Sequence, residues 1–217
     1  MGLIYDMNIK NEIAIIDYNL NNIKSVYNAL KFLKIPCFIT NNPDEIKQAS
    51  GLILPGVGAF PQAIEQLKKL KLINSIEEFI ISNKPFLAIC LGFQLLFSES
   101  HEFKKTKGLD ILKGSVLNLE DKKVESPQFG WKKIYINNQF KESNNKILDD
   151  RHSFYFVHSF HVEPDDKDII FTYTQYKNFK FCSSIKYKNI LGTQFHPEKS
   201  GIQGLNLLNN YFNKKTI

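Results

Sequence analysis

Cysteine is scarce in this sequence of 217 residues. There are three, at positions 37, 90 and 182. An odd, widely spread set fits a reducing compartment better than a disulfide framework, and it excludes a four-cysteine zinc site. Long apolar runs are missing too. No stretch approaches 18 uncharged apolar residues, so no membrane span is expected. The segment Met1 to Lys10 contains Asp6 and Asn8 and has no apolar run, so it does not read as a signal peptide. Asp6 also stands where a myristoylation site wants Ser or Thr. The cytoplasm is the expected location. Charge of one sign is only mildly in excess: 28 basic against 22 acidic residues leaves +6. That permits a nucleic-acid partner without demanding one, and no basic stripe interleaved with aromatics supports it. Repeats and low-complexity linkers are absent, so nothing divides the chain.

What is present is the make-up of a globular protein. Hydrophobic residues are 43% and charged residues 23%, which argues against disorder. At roughly 150 residues per domain, one domain over 1–217 is the expectation.

The first ninety residues alternate short apolar runs with helical patterns. Ile13–Ile16, Cys37–Thr40, Leu52–Leu54 and Phe86–Ile89 read as buried strands. Helices are expected from Ile23 to Leu33, from Pro43 to Gln48, around Ile64, Leu67 and Leu70, and from Ile73 to Ile81. A further helix should carry Leu95 and Leu96. This β-α-β-α order predicts a parallel sheet covered on both faces. The second half reads as strands at 115–119, 132–136, 154–157, 169–176, 181–185 and 190–195, then a helix over 201–212. These strands are expected to add to the same sheet in antiparallel fashion. The Asn- and Lys-rich stretch at 137–146 reads as a surface loop.

Ligands of open parallel sheets bind beyond the carboxyl ends of the strands. That rim holds Pro55-Gly56-Val57-Gly58 and Cys90. Cys90 lies in Ala88-Ile89-Cys90-Leu91-Gly92. A nucleophile flanked at two residues' distance by Ala and Gly, between strand and helix, has the pattern of a nucleophile elbow. A helix N-terminus there would favour the thiolate. A buried structural cysteine is the plainer alternative. His196 and Glu198 stand two apart across Pro197, which on extended chain puts both side chains on one side. That suits a carboxylate orienting an imidazole that activates a thiol. A surface His–Glu pair would show the same spacing. The glycines of 55–58 suit either a tight turn or a backbone that donates to an oxyanion. They lack the lysine of a phosphate loop. His158 and His161 read as residues on opposite faces of one strand rather than as metal ligands. Cys37 and Cys182 read as core, and so, by a narrow margin, does Trp131.

Taken together, Ile89-Cys90-Leu91-Gly92-Phe93-Gln94-Leu95-Leu96-Phe97 and Gln194-Phe195-His196-Pro197-Glu198-Lys199-Ser200-Gly201 resemble the class I, triad-type glutamine amidotransferases. Within them the chain is most similar to the glutaminase subunits of imidazole glycerol phosphate synthase. That similarity runs through 16–25, 54–60, Phe129-Gly130-Trp131 and 155–160, and spans about 13–212. The resemblance implies a three-layer, flavodoxin-like α/β fold. It implies that Cys90 attacks the glutamine amide, that His196 is general base and acid, and that Glu198 holds it. Leu91 and the Val57–Gly58 segment, after a peptide flip, would form the oxyanion hole. Gly58, Gln94, Ser159 and Phe160 match positions that hold glutamine. No cofactor and no metal are implied.

Ammonia released into water would be protonated, so a partner must receive it directly. In the family this is a (β/α)8 cyclase subunit paired as a heterodimer in histidine biosynthesis. Tyr155, Lys199 and Trp131 fall on segments that face it. The sequence departs from the family pattern at Asn19 and Asn21, where glycines are usual, and at Gln128 and Lys132, where His and Asn are usual. The last two are expected on the docking side. They keep a second pathway open, a paralogue supplying ammonia for sugar amidation in surface-glycan synthesis. A non-catalytic regulatory module is a further alternative.

Overall fold

The computed structural model describes residues 9–20, 22–141, 147–148 and 152–213. The expectations for Met1 to Asn8, for Asn21 and for 142–146 lie outside the described residues. In chain order the elements are β1 (Ile13–Ile16), α1 (Ile23–Phe32), β2 (Cys37–Thr40), α2 (Pro43–Gln48), β3 (Gly51–Leu54), α3 (Phe60–Lys69), α4 (Ile73–Ile81), β4 (Phe86–Ile89) and α5 (Leu91–Gln94). Then come β5 (Phe97–Ser100), β6 (Thr106–Lys107), β7 (Leu112–Asn118), β8 (Gln128–Lys133), β9 (Tyr135–Ile136), β10 (Ser153–His158) and β11 (Phe160–Pro164). The chain closes with β12 (Ile170–Tyr176), β13 (Phe179–Tyr187), β14 (Ile190–Thr193) and α6 (Gly201–Phe212).

An eight-stranded sheet runs β2-β1-β3-β4-β14-β13-β12-β9. Its pairings from β2 through β4 to β14 are parallel. Those from β14 through β13 and β12 to β9 are antiparallel. The parallel strands have no polar face because both faces are covered, which explains their unbroken apolar runs. Successive side chains point to opposite faces. Ile13, Ile15, Ile53, Leu87, Ile89 and Leu191 pack with Val26 and Leu30 of α1 and Leu207 and Leu208 of α6. Ala14, Ile16, Leu52, Leu54, Phe86 and Ala88 pack with Ile46 of α2, Ile64 and Leu67 of α3, and Ile76 and Phe79 of α4. The result is the three-layer α/β arrangement that the alternation of elements implies.

The second half differs from the expectation. β14 joins β4 in parallel. β7 and β11 leave the central sheet for a four-stranded sheet, β11-β7-β5-β6, and β8 pairs with β10 in a separate ribbon. The expected strand at 132–136 is really two, split between that ribbon and the sheet edge. The expected helix over Leu95 and Leu96 is one turn ending at Gln94. Leu95 and Leu96 follow it, and their carbonyls accept N–H bonds from Leu109, Ile111 and Leu112. Strands β5, β6 and β11 have no counterpart in the sequence reading.

Candidate active site

Three adjacent parallel strands, β3, β4 and β14, end on one rim. β3 delivers Pro55-Gly56-Val57-Gly58, β4 delivers Cys90, and β14 leads to His196. The parallel pairing of β14 is therefore what brings His196 beside Cys90.

Cys90 adopts φ +53° and ψ −110°, a backbone state that non-glycine residues rarely hold and that costs about 1–3 kcal/mol. The surroundings enforce it. The Cys90 N–H donates to the Thr193 carbonyl at 2.7 Å, and its own carbonyl accepts from the Gln94 N–H at 3.1 Å. Gly92 is required by close approach, since a Cβ there would lie 2.0 Å from the Leu54 carbonyl oxygen. The small-x-Cys-x-Gly pattern thus reflects a sharp turn packed against β3. The sulfur lies 3.6 Å from Gln194 Nε2 and 3.8 Å from the Val157 carbonyl oxygen.

His196 and Glu198 are joined by a 2.8 Å contact between Nδ1 and Oε1, and both side chains are buried. The chain between them is not extended. Pro197–Lys199 form a 3₁₀ turn, and the turn curls the carboxylate back under Nδ1. The pair forms by a route other than the one its spacing suggested. Nε2 of His196 makes no hydrogen bond to any described residue. Burial alone would lower the His196 pKa. The Cys90 sulfur and the Glu198 carboxylate overcome it and raise the pKa to about 10.

A pocket of about 320 Å³ opens over these groups. It is lined by Val57, Gly58, Cys90, Leu91, Gln94, Glu102, Val157, His158, Ser159, Phe160 and His196. This is within the usual range for a small-molecule site. Gln94 is buried, and its Nε2 donates to the Phe160 carbonyl at 3.0 Å and to Gln194 Oε1 at 3.1 Å. Leu91 opens α5, where backbone N–H groups lack intrahelical partners. The Val57 N–H is engaged elsewhere, donating to the Leu20 carbonyl at 3.1 Å. Gly58 beside it sits at φ +97° with open space where a Cβ would be. This is a glycine hinge next to a peptide that would have to turn before its N–H could reach an oxyanion.

Two residues of the site escape sequence reasoning. Glu102 accepts the Phe60 N–H at 2.6 Å, and burial raises its pKa. It follows a strand the sequence did not reveal, so no local signal marks it. Gln194 opens the 194–201 motif, where nothing local assigns it a role, yet its amide touches both Gln94 and the Cys90 sulfur. His158 ends β10 and His161 belongs to β11, so they do not share a strand. Burial drives the His158 pKa down to about 3, and its Nδ1–H donates to the Phe160 carbonyl at 2.8 Å.

The ribbon β8–β10 flanks the pocket. Phe154 and Phe156 of β10 face the core. Phe129, Trp131 and Val157 are exposed, and Trp131 meets Tyr155 edge to face at 6.3 Å. Trp131 is thus a surface residue rather than the core residue expected. Lys199 is exposed at the end of the turn that holds Glu198. Alternation along β8 puts Gln128, Gly130 and Lys132 opposite to Phe129, Trp131 and Lys133. Gln128 is buried, so the two departures from the family pattern lie on the inner face rather than on the exposed one.

The family model described as glutamine amidotransferase class-I matches residues 14–215. The chain belongs to the class I glutamine amidotransferases. A protein of Pyrococcus furiosus named imidazole glycerol phosphate synthase subunit HisH is 45% identical over 92% of this chain and 97% of its own length. The protein of the same name from Sulfurimonas denitrificans is 41% identical, over 92% of this chain and 96% of its own. Among solved structures, PurLQS from Thermotoga maritima superposes with a TM-score of 0.70, at 18% identity over 93% of this chain and 97% of that one. A glutamine amidotransferase, also from Thermotoga maritima, gives a TM-score of 0.58 at 17% identity, covering 93% and 82% of the two chains. These two likenesses speak to the fold, which is that of the amidotransferase family.

Proposed function

We propose that this chain is the glutaminase subunit of an imidazole glycerol phosphate synthase, a cytoplasmic enzyme of histidine biosynthesis. All 217 residues would form one glutamine amidotransferase domain. The observation that carries the reading is the convergence of Cys90, His196 and Glu198 on one rim. The names of relatives at 45% and 41% identity supply the pathway.

In this reading glutamine enters the pocket with its side-chain amide at Cys90. The Cys90 sulfur attacks the amide carbon. His196, oriented by Glu198, gives a proton to the departing nitrogen, and ammonia leaves. Water then attacks the resulting thioester, His196 takes its proton, and glutamate is released with the thiol restored. Leu91 supplies one oxyanion donor. The second comes from Val57–Gly58 only after the Val57 N–H leaves the Leu20 carbonyl. Each such donor is typically worth about 3 kcal/mol, so the resting arrangement makes the glutaminase slow on its own. Gln94, Ser159 and Phe160 line the substrate space, and Glu102 offers a carboxylate to an ammonium group.

The exposed Phe129, Trp131 and Val157, with the half-buried Tyr155 among them, would receive a (β/α)8 cyclase subunit, with Lys199 beside them, as a heterodimer. The sugar-amidation reading draws on Gln128 and Lys132. Their place on the inner face of β8 removes that argument. The test is [amide-¹⁵N]glutamine turnover by the chain with and without its cyclase. The expected result is slow glutamate release alone, faster release in the complex, and ¹⁵N in the imidazole product. Turnover coupled only to a sugar amidotransferase would sink the histidine reading.

A further inference from the structure

Ser200 stands at the N-cap of α6, the position where serine most often caps a helix. Its side chain makes no capping bond. The hydroxyl is instead fully buried between two other elements. It donates to the His196 carbonyl at 2.6 Å and accepts from the Tyr155 N–H at 2.9 Å. A third bond closes the group, with the His196 N–H donating to the Tyr155 carbonyl at 2.9 Å. Both backbone polar groups of Tyr155 are therefore tied to the His196 segment.

This arrangement joins an exposed surface to the candidate triad. Tyr155 is a residue of β10 whose ring meets the exposed Trp131, while its neighbours Phe154 and Phe156 are locked in the core. A displacement of Tyr155 along the ribbon is delivered through its backbone to the residue that carries the imidazole. Side-chain position at His196 is already fixed from below by Glu198. What remains to be set is its main chain, and the Ser200 hydroxyl is the only side-chain group bonded to the His196 backbone among the hydrogen bonds of the described residues.

We propose that Ser200 is a positioning residue: its hydroxyl clamps the His196 backbone to β10, so that imidazole register over Cys90 depends on what occupies the outer face of that strand. The inference rests on the glutaminase-subunit reading and deepens it. The group does no chemistry on glutamine.

The test is Ser200→Ala and Ser200→Thr in the complex with the cyclase subunit, reading glutamate release, KM, and affinity for the cyclase separately. In Ser200→Ala the expected result is a kcat in the complex lowered about tenfold, since small misplacements of a reacting group cost that much or more. KM and cyclase affinity should hold, and stimulation by the cyclase should shrink with kcat. Ser200→Thr, which keeps the hydroxyl, should restore most of it. A variant stimulated as strongly as the wild type overturns the inference alone. A wild-type chain that the cyclase does not stimulate overturns the functional reading, and the inference with it. If Ser200→Ala does not fold, amide hydrogen exchange on the wild type decides. Docking of the cyclase should protect the Tyr155 and His196 amides together. Protection gained at Tyr155 alone overturns the clamp.

Discussion

Glu198 Oε1 lies 2.8 Å from His196 Nδ1, with both side chains buried. A carboxylate so placed fixes which ring nitrogen carries the proton and leaves Nε2 for the pocket. Glu198→Gln would keep the shape and lose the charge. The expected outcome is a kcat for glutamate release lowered about 10²–10⁴-fold with KM little changed. Steady-state glutaminase kinetics in the complex check it, and a variant with near-normal kcat would remove Glu198 from the mechanism.

Cys90 has a narrower test. Cys90→Ala should abolish glutamate release while leaving synthesis from added ammonium salts intact in the complex, because the cyclase chemistry does not need the thiol. Glutamate release unchanged by the substitution would mean the nucleophile has been misassigned.

Gly58 sits at φ +97° with nothing near its absent Cβ. A side chain would meet no clash there, so any cost comes from the backbone alone. Gly58→Ala should lower kcat in the complex about tenfold, because a Cβ narrows the φ/ψ range through which the 57–58 peptide must turn. The thermal unfolding temperature should also fall by a few degrees, because the added side chain strains the folded backbone at positive φ. Full activity in this variant would show that the 57–58 peptide need not turn.

The site was more legible than the fold around it. The Ala88-x-Cys90-x-Gly92 pattern is local, because a sharp turn pressed on β3 must have small residues at those distances. The fully buried strands were legible because burial on both faces removes polar alternation. Strand pairing in the second half was not. Whether Leu112–Asn118 joins the central sheet or a separate one depends on partners far away in sequence, and a period-2 pattern is the same for both. The direction of β14 is also non-local, although it decides where His196 lands. Glu102 and Ser200 were hidden for a related reason. Their roles depend on the Phe60 amide and on β10, and nothing beside them in sequence announces those contacts.

Trp131 is 57% exposed, and it is the only tryptophan of the chain. Large aromatic anchors carry a disproportionate share of interface energy, commonly about 2 kcal/mol or more on truncation. Trp131→Ala should therefore raise the Kd for the cyclase at least about 30-fold. Stability of the free chain should be almost unaffected, because the ring is not part of the core. Calorimetric titration against the cyclase reads this directly. An unchanged Kd would move the docking surface away from β8 and β10.

His158 predicts the acid limb of stability. Burial holds its folded pKa near 3, against about 6.5 for an unfolded histidine. Between those values the unfolded chain binds a proton that the folded chain refuses, so stability falls as pH drops, by about 1.4 kcal/mol per pH unit once well below the unfolded pKa. His161 is shifted in the same direction. His196 has the opposite sign. Its raised pKa gives stability that is complete below about pH 6.5 and is lost as pH rises toward about 10. His158→Gln keeps a donor for the Phe160 carbonyl and removes the titrating group. Urea unfolding from about pH 4 to about pH 9 should show a shallower acid limb in this variant and an unaltered alkaline one. An acid limb as steep as the wild type would mean that His158 is not held neutral by the fold.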